Sequence, residues 1–199
     1  MKEWRRPVEG LTFEPNPSHI YRFKGRIVPS VTTVLDGVLG RNGYRSAAME
    51  AGMMRGRAVH LATQYYDEGR LNQKTLHPAI LPFFQAYKDF LRDVAPEIVY
   101  IEQPVYHETL EFAGTLDRVI IINGDMGVLD IKTGASAPRH TGPQLSAYAE
   151  SIRLGHLLKR WALVLRADGQ YRLSQYTDDT DWDVFQAALL ISRWKERSK

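Results

Sequence analysis

The sequence predicts an α/β domain in which a mixed central sheet is flanked by helices on both sides. From residue 78 onward, segments of helical and strand periodicity follow one another as helix, strand, strand, strand, helix, strand, strand, helix, an order that layers helices on a sheet. The stretch G-T-L-D-R-V-I-I-I-N-G-D-M-G-V-L-D-I-K-T-G from Gly114 to Gly134 sets two apolar runs around Asn123, Gly124 and Asp125, the signature of a β-hairpin. Strands so rich in Ile, Val and Leu are usually covered on both faces, which places this hairpin inside the molecule. A chain of 199 residues suffices for one full core and is short for two. It reads as a single domain, with residues 1–45 as an N-terminal hairpin and helix extension, 46–176 as the core and 177–199 as a closing helix.

Taken in order, Ile20–Phe23 and Arg26–Val28, joined at Lys24-Gly25, read as a small hairpin. Pro29-Ser30 then opens a helix to about Leu39 with Ser30 as its N-cap. Gly37, Gly40 and Gly43 mark a loop. A helix follows from about Ser46 to Glu68, with Gly52, Gly56 and His60 along one stripe. Pro78 to Val94 is a third helix packing through Ile80, Phe83, Phe84, Tyr87 and Leu91. Ile98 to Tyr106 is a strand. Beyond the central hairpin, a helix from about Gly142 to Leu154 carries Gln144 and Tyr148 one turn apart. Trp161–Arg166 and Tyr171–Tyr176 pair around Asp168-Gly169. Asp181 to Lys195 closes the chain as an amphipathic helix, with Val184, Ala187, Ala188, Ile191 and Trp194 as its apolar side.

The central hairpin also carries charge where apolar residues dominate. Side chains alternate across a strand, so Thr115, Asp117, Val119 and Ile121 share one face, and Val128, Asp130 and Lys132 share one on the next strand. A loop of even length sets Asp117 opposite Asp130 or Lys132, whereas an odd loop separates the two faces. On an exposed face such a cluster is only a cross-strand ion pair. In a covered sheet, buried charges must be paired or bind metal, and one lysine cannot neutralise two carboxylates. The surplus calls for a hard divalent cation, which oxygen ligands suit. Glu102 reads either as an exposed strand carboxylate or as a contributor to a second metal site. Arg57, one turn before His60, faces either a phosphate or solvent.

Composition narrows the classes. The chain has no cysteine, which excludes disulfides, thiolate-bound metals and iron–sulfur clusters. No segment has the apolar length to span a membrane, and M-K-E-W-R-R lacks the apolar stretch of a signal peptide, so a cytoplasmic location is expected. The net charge of +3 is unevenly spread: residues 1–60 hold ten Lys/Arg against five Asp/Glu, leaving +5 there and −2 over the rest. A basic N-terminal surface suits attraction to a phosphate backbone.

G-T-L-D, then D-I-K-T-G, then Q-L-S-A-Y, preceded by G-R-A-V-H, resembles the PD-(D/E)xK nuclease superfamily, and within it the RecB-like exonuclease branch. Leu116 stands where the family's name has proline, and the resemblance runs from about Arg55 to Leu165. The run H-I-Y-R-F-K-G-R-I-V-P-S-V-T-T-V-L is similar to the N-terminal segment of phage-type members without an iron–sulfur cluster. The resemblance implies a restriction-endonuclease-like αβββαβ core. It implies metal ligation by His60, Asp117, Asp130 and the backbone carbonyl of Ile131; Glu102 is a weaker candidate ligand on its strand position alone. Mg²⁺ or Mn²⁺ is the implied cofactor, since a nitrogen ligand tolerates Mn²⁺ well. Lys132 then favours the hydroxide form of the attacking water electrostatically, and Gln144 and Tyr148 contact DNA or brace the site, with Arg57 a further DNA contact. The expected function is metal-dependent exonucleolytic hydrolysis of DNA from its ends, in recombination, repair or phage DNA processing, beside a single-strand annealing or recombination protein. No base-reading module is evident, so sequence-specific cutting is not expected. Two alternatives are a junction-resolvase-like endonuclease of the same superfamily and a catalytically silent DNA-binding module.

Overall fold

The computed structural model describes residues 8–14, 19–39, 47–152 and 157–198. The central hairpin turns at Asn123 and Gly124, both left-handed at φ 52° and 88°. Positive φ at both turn residues matches the twist of the flanking strands, so β5 (Phe112–Ile122) and β6 (Asp125–Thr133) pair directly. The register joins Ile122 to Asp125 and Arg118 to Leu129. One step further along it, Asp117 faces Asp130 and not Lys132.

Around that hairpin the sheet runs β4-β5-β6-β7-β8, with β4 (Glu97–His107), β7 (Lys159–Leu165) and β8 (Tyr171–Gln175). Only β6 and β7 pair in parallel, because helix α4 (Thr141–Glu150) carries the chain across between them. One face of the sheet is covered by α1 (Val31–Leu39), α4 and α5 (Asp181–Arg197), which bury Val34, Leu145, Tyr148 and Phe185 against Val119, Val128 and Ala162. On the other face α2 (Ala47–Asp67) and α3 (Leu81–Val94) bury Val59, Phe83, Phe84, Tyr87 and Phe90 against Ile120, Leu129, Ile131 and Leu163. This is the mixed, doubly covered α/β sheet that the element order predicts. Asp117, Asp130 and Lys132 lie on the α4 side.

The hairpin β2 (Ile20–Phe23)–β3 (Arg26–Val28) forms as expected, and β1 (Leu11–Glu14) extends it to a separate three-stranded antiparallel sheet. Four residues, L-T-F-E, offer too little alternation to identify a strand from sequence. The small sheet docks on the core by stacking Phe23 on Tyr106 with ring centres 4.0 Å apart, and by a hydrogen bond between the Tyr21 hydroxyl and Thr115 Oγ1 at 2.9 Å. Ser30 caps α1, its Oγ accepting from the Thr33 N–H at 3.1 Å.

Several boundaries differ from expectation. Gly37 lies inside α1, not in a loop, and Gly40 and Gly43 fall outside the described residues. The third helix begins as a 3₁₀ turn at Pro78–Ile80 before α3, and its packing stripe forms as expected, with Leu91 partly buried and Phe90 added to it. Helix α4 ends at Glu150, where the Ser151 hydroxyl donates to the Ala147 carbonyl at 2.8 Å. The buried side of α5 is Phe185, Ala188 and Leu189, leaving Val184, Ile191 and Trp194 exposed by 40%, 41% and 62%. Apolar residues surround this helix, so periodicity alone does not choose its face. At its first residue Asp181 pairs with Arg160 at 2.9 Å and rests against Gly142, whose missing Cβ makes room for the carboxylate.

Gly127 marks the tightest approach in the sheet, since a Cβ there would overlap the Lys159 carbonyl and the Trp161 ring. Gly127→Ala should therefore destabilise the protein by about 1–3 kcal/mol, the usual cost of overpacking. A chemical-denaturation midpoint that does not move would contradict that close packing.

Candidate active site

Asp117 sits where the β5–β6 ladder gives way to side-chain contacts. Its Oδ2 accepts the Ile131 N–H at 2.6 Å, tying the end of one strand to the next. Beside it, Lys132 Nζ lies 2.9 Å from Asp130 Oδ2 and donates to Gln144 Oε1 at 2.9 Å. Gln144 Nε2 donates to Asp130 Oδ1 at 3.0 Å and to the Tyr148 hydroxyl at 3.4 Å. The triangle Asp130–Lys132–Gln144 closes because α4 presents residues 144 and 148 one turn apart over the strand. Gln144 and Tyr148 are each only 4% exposed. They lie beneath the carboxylates as braces. Gly114 permits this, for a Cβ there would approach Tyr148 Cε1 to 2.7 Å.

Two further groups reach Asp117 from other elements. Helix α2 brings His60 Nδ1 to 3.5 Å from Asp117 Oδ1. It can close on β6 because Gly56, one turn before His60, faces Thr133, whose Oγ1 would lie 3.2 Å from a Cβ. Glu102 comes from β4. Its backbone is left-handed (φ 47°), a conformation that costs a non-glycine residue roughly 1–3 kcal/mol and concentrates at functional sites. A register shift between Ile98 and Tyr100 precedes it, which explains why strand alternation could not place Glu102 from the sequence. Ligand atoms of His60, Glu102 and Asp117 all lie within 4.8 Å of one another. Asp130 stands on the other side of Asp117, engaged by Lys132 and Gln144.

These charges shift one another. Burial opposes ionisation of Asp117, but His60, the Ile131 N–H and Lys132 outweigh it and hold this carboxyl below the usual range. Asp130 is pushed up by burial and by Asp117, against the pull of Lys132. Glu102 is pushed up to about 7 by burial and by the Asp117 charge. Burial would lower His60, yet Asp117, Asp130 and Glu102 raise it to about 9. Lys132 is held above its ordinary value by Asp130 despite burial, so it stays an ammonium. As an ammonium it sets a positive charge beside Asp130 and Gln144.

The donor set suits a divalent cation. Asp130 Oδ2 is buried and accepts no aligned hydrogen bond in spite of the nearby ammonium, and the carboxylates of Asp117, Asp130 and Glu102 face one imidazole, one lysine and a guanidinium that Asp67 shares. Oxygen donors with a single nitrogen fit Mg²⁺ or Mn²⁺.

The family model of the PD-(D/E)XK nuclease superfamily matches residues 33–174. The chain belongs to that superfamily. No curated protein matches it. Among solved structures, it is similar to a protein titled SSO0001, at 16% identity and a TM-score of 0.35, over 85% of this chain and 84% of that one. It is also similar to an alkaline exonuclease, LHK-Exo, from Laribacter hongkongensis, at 15% identity and a TM-score of 0.34, over 85% of this chain and 91% of that one.

The site of this PD-(D/E)XK chain lies on the floor of a cleft of about 860 Å³. One wall is the α2 face with Met53, Gly56, Arg57, His60 and Leu61; the other is Phe13, His19 and Tyr21 of the small sheet. Arg57 is thus on the cleft wall, where burial first and the Arg57 charge second hold His19 below the usual imidazole range. Ile131 lies on the floor. Sequence reasoning missed Arg118, fully buried on β5 and bonded to Asp67, Thr63 and Glu102. The available signal was an arginine followed directly by V-I-I-I, a place where a charge needs a buried partner.

In the metal-free protein, folding raises both His60 and Glu102 above their unfolded values. The native state therefore binds more protons than the unfolded state across that interval, and stability falls as pH rises. Thermal melts in chelator should drop by a few degrees between pH 5 and 9, and Glu102→Gln should flatten the lower half of that slope. A melting temperature that rises over this range would contradict the mutual repulsion of the carboxylates.

Proposed function

We propose that the chain is a metal-dependent deoxyribonuclease that hydrolyses phosphodiester bonds from DNA ends, a member of the RecB-like branch. The convergence of Asp117, Asp130, Lys132, His60 and Glu102 on the floor of one open cleft carries this reading. In a PD-(D/E)XK chain that convergence is a hydrolytic centre, since binding alone gains nothing from surplus carboxylates beside phosphates. The G-R-A-V-H and Q-L-S-A-Y motifs, at His60 and at Gln144 with Tyr148, support the branch.

Asp117, Asp130, the Ile131 carbonyl and His60 would hold the cation, Mg²⁺ or Mn²⁺, with Glu102 completing the set. When bound, the cation supplies Lewis-acid stabilisation and lowers the pKa of water. The protein's own groups do the rest. The Lys132 ammonium, fixed by Asp130 and Gln144, puts a positive charge where the attacking oxygen becomes anionic and helps hold it in line. Gln144, held by Tyr148, bonds to both members of the Asp130–Lys132 ion pair and would fix it in place. Arg57, on the cleft wall with His60, would meet a backbone phosphate, and the small sheet would form the opposite bank for the strand. Action on ends fits a role in recombination, repair or phage DNA processing, with a single-strand annealing or recombination protein as the partner class.

The test incubates end-labelled linear DNA and covalently closed circular DNA with Mg²⁺, Mn²⁺ or chelator. Metal-dependent shortening of the linear substrate with the circle intact is expected. Cutting of the circle would replace this reading with the structure-specific endonuclease, and no cleavage in any metal would leave a DNA-binding module. Asp117→Asn and Asp130→Asn should abolish cleavage. Lys132→Ala should lower the rate by at least about 100-fold while DNA binding persists; near-wild-type rates would remove Lys132 from the mechanism.

A further inference from the structure

The mechanism above leaves one buried charge unused. Arg118 has no exposed surface, yet it carries a full positive charge into the α2–α3 side of the sheet. A guanidinium offers five N–H donors in a rigid fork. Here that fork spans the members of the cation-competent group. Nη1 donates to the Asp117 carbonyl at 2.6 Å and to Glu102 Oε1 at 3.1 Å. Nη2 donates to Thr63 Oγ1 at 3.3 Å, and the Thr63 hydroxyl in turn donates to the His60 carbonyl at 2.9 Å. The remaining arm, Nε, donates to Asp67 Oδ2 at 2.7 Å. That oxygen also accepts the Tyr87 hydroxyl at 2.6 Å.

We propose that Arg118 is the positioning residue of the metal centre, a single buried guanidinium that sets the spacing of His60, Glu102 and Asp117, with Asp67 and Tyr87 as its anchor. The inference rests on the metal-dependent reading given above. It follows from which residues the fork reaches. Glu102, Asp117 and His60 belong to three different elements, β4, β5 and α2, and no backbone ladder joins all three. Arg118 contacts the first by its side chain, the second by its main chain, and the third through one hydroxyl. A carboxylate in a left-handed backbone, repelled by Asp117, would turn away without a cation behind it. Arg118 supplies that cation from the side opposite the cleft, leaving the other oxygen of Glu102 for a ligand. Asp67 is itself buried, and it pairs with Arg118 so that the guanidinium cannot swing toward the cleft and occupy the metal's place.

A scaffold role alone would affect folding and leave metal affinity unchanged in the folded molecules. Mn²⁺ binding is therefore measured by calorimetry or electron paramagnetic resonance, beside melting temperature, for wild type, Arg118→Lys, Tyr87→Phe and Gly127→Ala. Arg118→Lys keeps the charge and loses the fork. It should weaken Mn²⁺ binding roughly 10- to 100-fold, the range seen for residues that orient metal ligands. Its cleavage rate should recover at high Mn²⁺, with KM for DNA unchanged. Tyr87→Phe touches no residue of the site and removes only the hydroxyl on Asp67; it should weaken Mn²⁺ by about threefold. Gly127→Ala, destabilised at a distance, should bind Mn²⁺ as wild type does. Should Arg118→Lys fail to fold, Tyr87→Phe decides. Wild-type Mn²⁺ affinity in folded Arg118→Lys and Tyr87→Phe, or an equal loss in Gly127→Ala, would overturn the proposal alone. Absence of Mn²⁺ binding by wild type would instead overturn the metal-centre reading, and this proposal with it.

Discussion

Asp117 is the residue on which the rest of the site depends. Its carboxylate is buried, holds the Ile131 N–H, and faces His60, Glu102 and Asp130 across short distances. An ionised acid in that position is tolerated only because positive charge or hydrogen bonds meet it on every side. The sheet edge, the start of α4 and the middle of α2 are all arranged around this requirement. The glycines that flank it have the same cause: Gly114 admits Tyr148, and Gly56 admits β6.

Much of this is legible in the sequence because it depends on local periodicity. A two-residue turn with Asn123 and Gly124 in left-handed conformation dictates the β5–β6 register, and register places Asp117 across from Asp130. The same alternation puts Lys132 on the face that α4 covers, and helical spacing brings Gln144 and Tyr148 to it together. His60 shares a stripe with Gly52 and Gly56, but it is the resemblance of G-R-A-V-H to the family's histidine motif that singles it out. The strand and helix inferences need one period and one turn, and no knowledge of distant packing.

What escaped the sequence is what depends on irregular backbone or on partners far along the chain. Glu102 enters the site through a left-handed residue after a register shift, so strand alternation assigns it no reliable face. Arg118 finds its counter-ions at Asp67, 51 residues earlier, and at Glu102, 16 residues earlier, separations that no periodic pattern encodes. The buried face of α5 is the one that meets the core through Phe185, Ala188 and Leu189, with Asp181 tied to Arg160 of β7, contacts between elements that the helix's own apolar pattern does not encode. The strand β1 is too short to show a period at all.

The two buried cations divide the site between them. Lys132, braced by Gln144, belongs to Asp130 and remains within reach of the cleft. Arg118, braced by Asp67 and Tyr87, belongs to Glu102 and is sealed from it. Asp117 lies between the two systems, met by the Ile131 N–H and by His60, which its charge raises to about 9. Two fixed positive charges thus flank the outer acids while His60 meets the central one, at the point where three elements meet. Arginine suits the sealed position because it stays charged and fills four acceptors at once, whereas lysine suits the open one because a compact ammonium can follow a phosphate oxygen. Exchanging the two would place a rigid fork in the cleft and a single point charge behind Glu102. The arrangement therefore has a direction: the guanidinium is sealed on the α2–α3 side of the sheet, whereas the ammonium lines the cleft together with His60, Asp117 and Asp130.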